Sequence, residues 1–138
     1  MDWKLEVVVV PVTDVDRAKE FYADKLGFPL DTDFSPNENF RVVQVTPPGS
    51  ACSIVFGKGM GDGEPGSVKG NQFTVEDIDA AAAHLAAAGI ESSGVVHFEG
   101  GVMTPGSDAH DADYNSFVFF SDPDGNTRSA QKVGKHAR

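Results

Sequence analysis

The residues best suited to acid–base chemistry lie in the second half of the chain. His97 and Glu99 are two positions apart on a predicted strand, so their side chains point to the same face. A histidine beside a carboxylate can act as a general base or donate a hydrogen bond to a ligand. Tyr114 is a further polar group that could assist. These three residues are the candidate catalytic residues, with His97 the first choice.

A polar run follows at Asp108, His110, Asp111 and Asp113. Together with His97 and Glu99, the oxygen and nitrogen atoms of this run could form a hard-metal or acid–base cluster above a pocket. The alternative is a solvated polar loop, which such runs usually are. Both interpretations stay open from the residues alone.

A strand–helix unit, repeated once, must position these side chains. The first copy spans Val7–Phe28: a β-branched strand, a cap at Thr13 or Asp14, an amphipathic helix over residues 14–26, and a stop at Gly27. The second copy predicts a strand over 67–75 and a helix over 77–88. The two copies match at Val12 with Val75, Asp14 with Asp77 and, after one deleted residue, Gly27 with Gly89.

Shorter strands are expected to follow each helix. They are predicted at residues 29–34, 40–46 and 51–56 in the first half, and at 91–98, 114–121 and 127–133 in the second. Turns are expected at 35–39 and 47–50, and a polar loop over a ligand opening at 100–113. The chain is thus one domain, 1–138, with a first module at 1–57, a glycine-rich linker at 58–66, a second module at 67–133 and a tail at 134–138.

Charge and composition exclude several classes of partner. The net charge of −10 argues against nucleic acid and anionic membrane surfaces, which require basic patches. No apolar run reaches the roughly 20 residues that a membrane span needs. Cys52 is the only cysteine, so no internal disulfide forms, and a reducing cytoplasm is the expected location.

Two motifs resemble a known superfamily over essentially the whole chain. DVDRAKEFYADKLGF opens the first half and FFSDPDGN stands near the end of the second. This pair resembles the vicinal oxygen chelate superfamily of glyoxalases, extradiol dioxygenases, and fosfomycin- and bleomycin-resistance proteins. The resemblance implies an α+β fold of two repeated β-α-β-β-β modules forming a curved half-barrel sheet, with the helices outside and the ligand on the concave face.

The resemblance also implies where a metal would be held. Metal-using members place ligands at four matched strand positions, which fall here at Val7, Ser53, Gly70 and Ser129. None of these side chains carries an imidazole, thiolate or carboxylate, and a divalent ion generally needs at least three such ligands. We therefore expect no metal and no other cofactor.

The concave face is expected to be an apolar trough with a few polar anchors, which is typical of a small-molecule site. Alternation along the strands adds four residues to the matched positions, and Phe117, Phe119 and Trp3 could add aromatic surface. Arg41 either clamps a ligand carboxylate or lies at a sheet edge. The predicted ligand-binding residues are Val7, Val9, Arg41, Ser53, Val55, Gly70, Gln72, Tyr114, Ser129 and Gln131.

We predict a metal-independent protein that sequesters a hydrophobic or aromatic compound, resembling the bleomycin-resistance branch of the superfamily. The first alternative is a metal-free isomerase, lyase or cyclase that uses His97 with Glu99 or Tyr114. A metal-dependent glyoxalase or dioxygenase comes third. The resemblance further implies a homodimer.

Overall fold

The chain forms two compact units, each with one helix-bearing sheet. The structure, a computed structural model, describes residues 1–61, 63–110 and 114–133. Unit 1 comprises Met1–Val68 and Asp122–Asn126, and unit 2 comprises Lys69–Ser121 and the chain from Thr127. In order, the elements are β1 (Val7–Val9), α1 (Val15–Lys19), a π-helical segment (Glu20–Lys25), β2 (Leu30–Asn37), β3 (Phe40–Val45), β4 (Ser53–Lys58), β5 (Asn71–Val75), α2 (Ile78–Ala87), β6 (Ser92–Glu99), β7 (Val102–Pro105), β8 (Phe117–Ser121) and β9 (Thr127–Lys132).

The sheet of unit 1 has the order β1-β4-β3-β2, with β1 parallel to β4 and the other pairs antiparallel. Its core lies between the first helix and one face of β3 and β4. Val43 and Phe56 are register partners on that face and are fully buried. The ring of Tyr22 lies 5.5 Å from that of Phe56, centroid to centroid, which fixes the helix against the sheet.

The sheet of unit 2 repeats the plan and adds one strand, in the order β5-β9-β8-β6-β7. Val118 and Ala130 are register partners buried under α2, whose own buried residues are Ile78 and Leu85. Each unit is thus an open curved sheet with a helix on one face. The predicted α+β fold is confirmed.

The first helix carries one residue more than the second. Asp14 caps the first helix by accepting from the Arg17 N–H at 3.1 Å, but from Glu20 the helix widens to π geometry. The bond that closes it runs from Phe28 N–H to the Tyr22 carbonyl, six residues apart, whereas in α2 the Ile90 N–H reaches the Leu85 carbonyl five residues away. The single deletion between the repeats is therefore taken up in the π segment.

Several predicted boundaries are wrong. The first strand, expected over residues 4–12, covers only Val7–Val9 as β1. The fourth runs Ser53–Lys58 as β4, and β5 begins at Asn71, not at residue 67. β2 continues to Asn37 through the turn predicted at 35–39. Its Pro36 is tolerated because β2 is an edge strand.

The loop predicted at 100–113 is also wrong over part of its length. Val102–Pro105 forms β7, which pairs with β6 in antiparallel register. Gly100 and Gly101 both have positive φ, +55° and +80°, which is the two-glycine signal of a tight hairpin. Asp111, Asp113 and the predicted tail at 134–138 lie outside the described residues.

Neither helix in the described part of the chain is long and apolar enough to cross a membrane.

Candidate functional site

The helix-free face of unit 1 collects four of the predicted ligand-binding residues. Val7 is paired with Ser53 and Val9 with Val55, in parallel register. Ile54, between the two β4 residues, points to the helix and is buried. Because side chains alternate along a strand, Val7, Val9, Ser53 and Val55 share the face away from the helix. Val9 is 51% exposed there.

A polar cluster that sequence reasoning missed lies on the same face. Asp31 Oδ2 accepts from the Thr46 hydroxyl and, at 3.3 Å, from the Gln44 amide. The Thr46 and Ser53 hydroxyl oxygens are 2.6 Å apart. The register of β2 shifts between Leu30 and Thr32. Asp31 therefore lies on the helix-free face with Gln44, although the next residue, Thr32, lies on that face too and consecutive residues normally alternate.

The helix-free face of unit 2 carries a row of aromatic rings. Phe117 lies between Phe98 and Phe119, with ring centroids 5.5 and 5.7 Å away. Only Phe117 and Phe119 were expected here. Phe98 faces this side because its neighbour Val96 is the register partner of Phe117.

Polar side chains border the aromatic row on β5 and β9. Gln72, Ser129 and Phe119 are successive register partners across three strands, and Gln131 is opposite Phe117. The Gln131 amide donates to the Tyr114 carbonyl at 3.0 Å. These residues therefore share one face, as alternation implied.

Two of the predicted ligand-binding residues lie just before strands. Gly70 precedes β5, with its N–H donating to the Thr127 hydroxyl at 3.1 Å. Tyr114 precedes β8, with φ +62° and a side chain 43% exposed. Trp3, on the segment before β1, is 87% exposed.

Arg41 lies on the helix side of unit 1 and is engaged by carboxylates of its own chain. Its guanidinium donates to both oxygens of Asp33, at 2.9 and 2.8 Å, and to Asp16 at 2.7 Å. Its hydrogen bonds, with help from Lys19, hold the pKa of Asp33 well below its usual range. The guanidinium thus joins β3 to β2 and α1. The sheet-edge alternative is wrong, because β3 lies between β4 and β2, and the carboxylates that Arg41 clamps belong to its own chain.

The His97–Glu99 pair lies on the helix side of unit 2, away from the aromatic row. Val95 is paired with the core residue Val118, and His97 follows at two-residue spacing. His97 is buried, with Nδ1 donating to the Gly106 carbonyl at 2.7 Å and Nε2 2.9 Å from Glu99 Oε1. The Glu99 carboxylate, followed by that carbonyl, raises the pKa of His97. The Nδ1 bond holds β6 to the turn after β7, whereas the Nε2 contact stays within β6, at ion-pair distance from Glu99.

The described part of the polar run has local partners. Asp108 accepts from the Asn115 amide at 2.6 Å and from the His110 N–H at 2.7 Å, which lowers the pKa of Asp108. These bonds support the chain between β7 and β8. Among residues 1–61, 63–110 and 114–133, no three His, Cys, Asp or Glu side chains are grouped as a metal site.

The residues at the four matched positions do not fit a metal. Val7 and Gly70 offer no side-chain donor, and the Ser53 hydroxyl is bonded to Thr46. Ser129 is buried beside Gln72, with no carboxylate or imidazole on its register partners. A divalent ion would find neutral hydroxyls where it requires anionic or imidazole ligands.

A cleft of about 980 Å³ opens within unit 1 beside the end of β1. Its walls combine aliphatic side chains, including Val9 and Met60, with the charged residues Asp14 and Lys58 and with glycine backbone from the segment after β4. This volume is at the upper end of the range that small-molecule sites occupy. It adjoins the helix-free face at Val9.

The two matched modules, each a curved sheet with a helix on one face, define the class of α+β protein to which the chain belongs. The sequence model of the Glyoxalase/Bleomycin resistance protein/Dioxygenase superfamily matches residues 4–128. The chain belongs to this superfamily. Comparison with curated proteins found no match.

Solved structures of the same superfamily match over nearly their whole length. TnmS3, an antibiotic binding protein from Streptomyces sp. CB03234, is 29% identical, with a TM-score of 0.75 over 96% of this chain and 98% of its own. A glyoxalase/bleomycin resistance protein from the same strain is 30% identical, with a TM-score of 0.71 over 93% and 99%. A superfamily member from Sphaerobacter thermophilus DSM 20745 is 25% identical, with a TM-score of 0.72 over 95% and 98%.

Proposed function

We propose that this chain is a metal-independent binding protein that sequesters a hydrophobic or aromatic compound on its helix-free sheet surfaces. The observation that carries the proposal is the row of Phe98, Phe117 and Phe119 with amide and hydroxyl neighbours. Neighbouring aromatic side chains, edge-to-face at Phe98 and stacked at Phe119, offer an apolar compound large contact area, and the amides can orient it. Uncharged side chains at the four positions matched to metal ligands support metal independence.

The size of the compound follows from the free energy that sequestration requires. Binding near micromolar needs about 8 kcal/mol. Burying on the order of 400 Å² of apolar ligand surface supplies roughly 10 kcal/mol before the costs of association. A polycyclic natural product reaches that area and a three-carbon metabolite does not. The likeness to an antibiotic binding protein supports a compound of this kind, and sequestering a toxic one would confer resistance.

Calorimetric titration with a panel of aromatic antibiotics, including anthracyclines, tests this function. Phe117→Ala should weaken binding of a compound bound by the wild type by roughly fivefold or more, since truncating an aromatic anchor at a binding site costs over about 1 kcal/mol. Val102→Ala is the matched control: Val102 is exposed on the same sheet but on the face of its register partner Glu99. The compound should be recovered unchanged by mass spectrometry. Product formation would contradict sequestration.

The acid–base enzyme remains the second candidate, favoured only by the 2.9 Å contact between His97 and Glu99. The burial of His97 on the helix side makes this function less well supported. If a substrate is found, His97→Ala should abolish its turnover. Unchanged turnover would remove His97 from the mechanism.

We also propose a homodimer in the cytoplasm. Leu30 and Phe34 are exposed on β2, an edge strand of the unit 1 sheet, and an unpaired apolar edge favours association. The single Cys52 is consistent with a reducing compartment.

A further inference from the structure

The polar cluster on unit 1 has a fixed direction of hydrogen bonding. The carboxylate of Asp31 can only accept, so the Thr46 hydroxyl must give its one proton to Asp31. In the 2.6 Å contact between Thr46 and Ser53, Thr46 then has only lone pairs left. Ser53 is therefore the donor in that contact, and its own proton is used.

Ser53 is left with acceptor capacity and no proton to offer. It is buried on the helix-free face, next to its register partner Val7. Within the described residues, no donor to its Oγ accompanies the Thr46 contact. A buried hydroxyl oxygen gains when a donor fills its remaining lone pair, whereas an acceptor placed against it is repelled.

The rest of this face carries exposed apolar side chains beside Thr32 and Gln44. Val9 and Phe34 are 51% and 55% exposed, and Val55 lies on the same side of β4. A compound that covers these side chains would meet a polar anchor at Ser53, and that anchor accepts. The anchor also occupies one of the positions where metal-using relatives carry a ligand.

We propose that Asp31, acting through Thr46 and Ser53, makes the helix-free face of unit 1 selective for compounds that donate a hydrogen bond, such as a phenol or an aromatic amine. This inference rests on the proposed binding function and adds the chemistry of its ligand. Asp31 is a specificity-determining residue because it fixes which way Ser53 points its proton.

Matched fluorescent probes test the selectivity. 1-Hydroxypyrene and 1-methoxypyrene differ in the donor alone, and 1-aminopyrene separates an N–H from an O–H donor. The wild type should bind the hydroxyl compound roughly three- to tenfold more tightly than the methoxy compound, the range of one net hydrogen bond. The amine should resemble the hydroxyl compound if any donor suffices. If the amine resembles the methoxy compound instead, selectivity for donors in general is overturned.

Asp31→Asn should bring the ratio of the two affinities towards one. The asparagine can present either its oxygen or its NH₂ to Thr46, so the direction of the hydroxyl protons is no longer imposed. Ser53→Ala should give the same result by removing the acceptor. Asp33→Asn is the matched control: it makes the same change on the same strand, but Asp33 bonds to Arg41 and Lys19 on the helix side. Its ratio should stay at the wild-type value.

The outcomes separate the two proposals. A wild-type preference that disappears in both Asp31→Asn and Ser53→Ala but survives in Asp33→Asn supports the inference. Equal wild-type affinities, or a preference that persists in Asp31→Asn, overturns it while leaving aromatic binding intact. Failure of the wild type to bind any of the three pyrenes counts against the aromatic-binding function itself, and the inference falls with it.

Discussion

At the residue scale, the DPDGN motif acts through a buried carboxylate. Asp122 accepts from the Tyr22 hydroxyl at 2.7 Å, the Asn126 amide at 2.8 Å and two backbone N–H groups at 3.0 Å. Asn126 in turn donates to the Pro11 carbonyl at 3.0 Å. The motif thus fastens the turn between β8 and β9 to the first helix. It specifies structure in unit 1, which explains why it identifies the fold but not a reaction.

Asp122→Ala should lower the free energy of unfolding by roughly 2–4 kcal/mol, because several buried donors lose their acceptor at once. Urea denaturation at neutral pH measures the loss. Asp24→Ala provides the control, since Asp24 is exposed on the π-helical segment, and its effect should stay within about 0.5 kcal/mol. Equal effects of the two substitutions would show that the network contributes little.

The His97–Glu99 pair should make stability depend on pH near neutrality. Because the pKa of His97 is raised in the folded chain, its contribution is complete below the unfolded value of about 6.5 and is lost as pH rises through the folded pKa. Asp108 also faces His97 and raises its pKa further. In urea denaturation, Glu99→Gln should therefore flatten the decline in stability above pH 6. Glu91→Gln, at an exposed carboxyl before β6, should leave the decline as in the wild type.

At the element scale, the π-helical segment accommodates the one residue that the first repeat has and the second repeat lacks. A deletion inside a π segment can restore α-helical bonding without shifting the helix beyond it, whereas a deletion inside an α-helix rotates everything downstream by about 100°. Deleting Asp24 should therefore give a folded protein that loses less than about 2 kcal/mol. Deleting Ala83 from α2 should unfold unit 2, because Leu85 would leave the core. Circular dichroism and urea titration distinguish the two outcomes, and equal damage would contradict this account.

The local sequence pattern predicted the helices and strands themselves. It did not predict which face of a sheet each side chain occupies. Apolar periodicity and Asp caps predicted both helices and the α+β class because those signals depend on near neighbours. Two-residue alternation put His97 and Glu99 on one face, but only the pairing of Val95 with Val118 says which face. Asp31 was missed because the register shift in β2 breaks alternation. The pattern did not predict β7 because the adjacent glycines Gly100 and Gly101 are as typical of an irregular loop as of a hairpin turn.

At the scale of the whole molecule, the proposed homodimer can be tested at the edge strand β2. The exposed Leu30 and Phe34 on β2 cost free energy in water and gain it when covered by a second copy. Sedimentation velocity over a range of micromolar concentrations should give a species at twice the 14.6 kDa chain mass. Phe34→Asp should shift the population towards monomer. A single species at chain mass in the wild type would contradict the dimer.

The proposed metal independence concerns the whole protein and can be tested without a ligand. An ion that binds only the folded state at 100 times its Kd adds about 2.7 kcal/mol to stability and raises Tm. With Val7, Ser53, Gly70 and Ser129 at the matched positions, dialysis against EDTA should leave Tm unchanged, as should low-micromolar Ni²⁺, Zn²⁺ or Mn²⁺ added afterwards. A rise in Tm for the wild type, with one ion retained per chain by elemental analysis, would replace the passive binding protein with a metalloprotein.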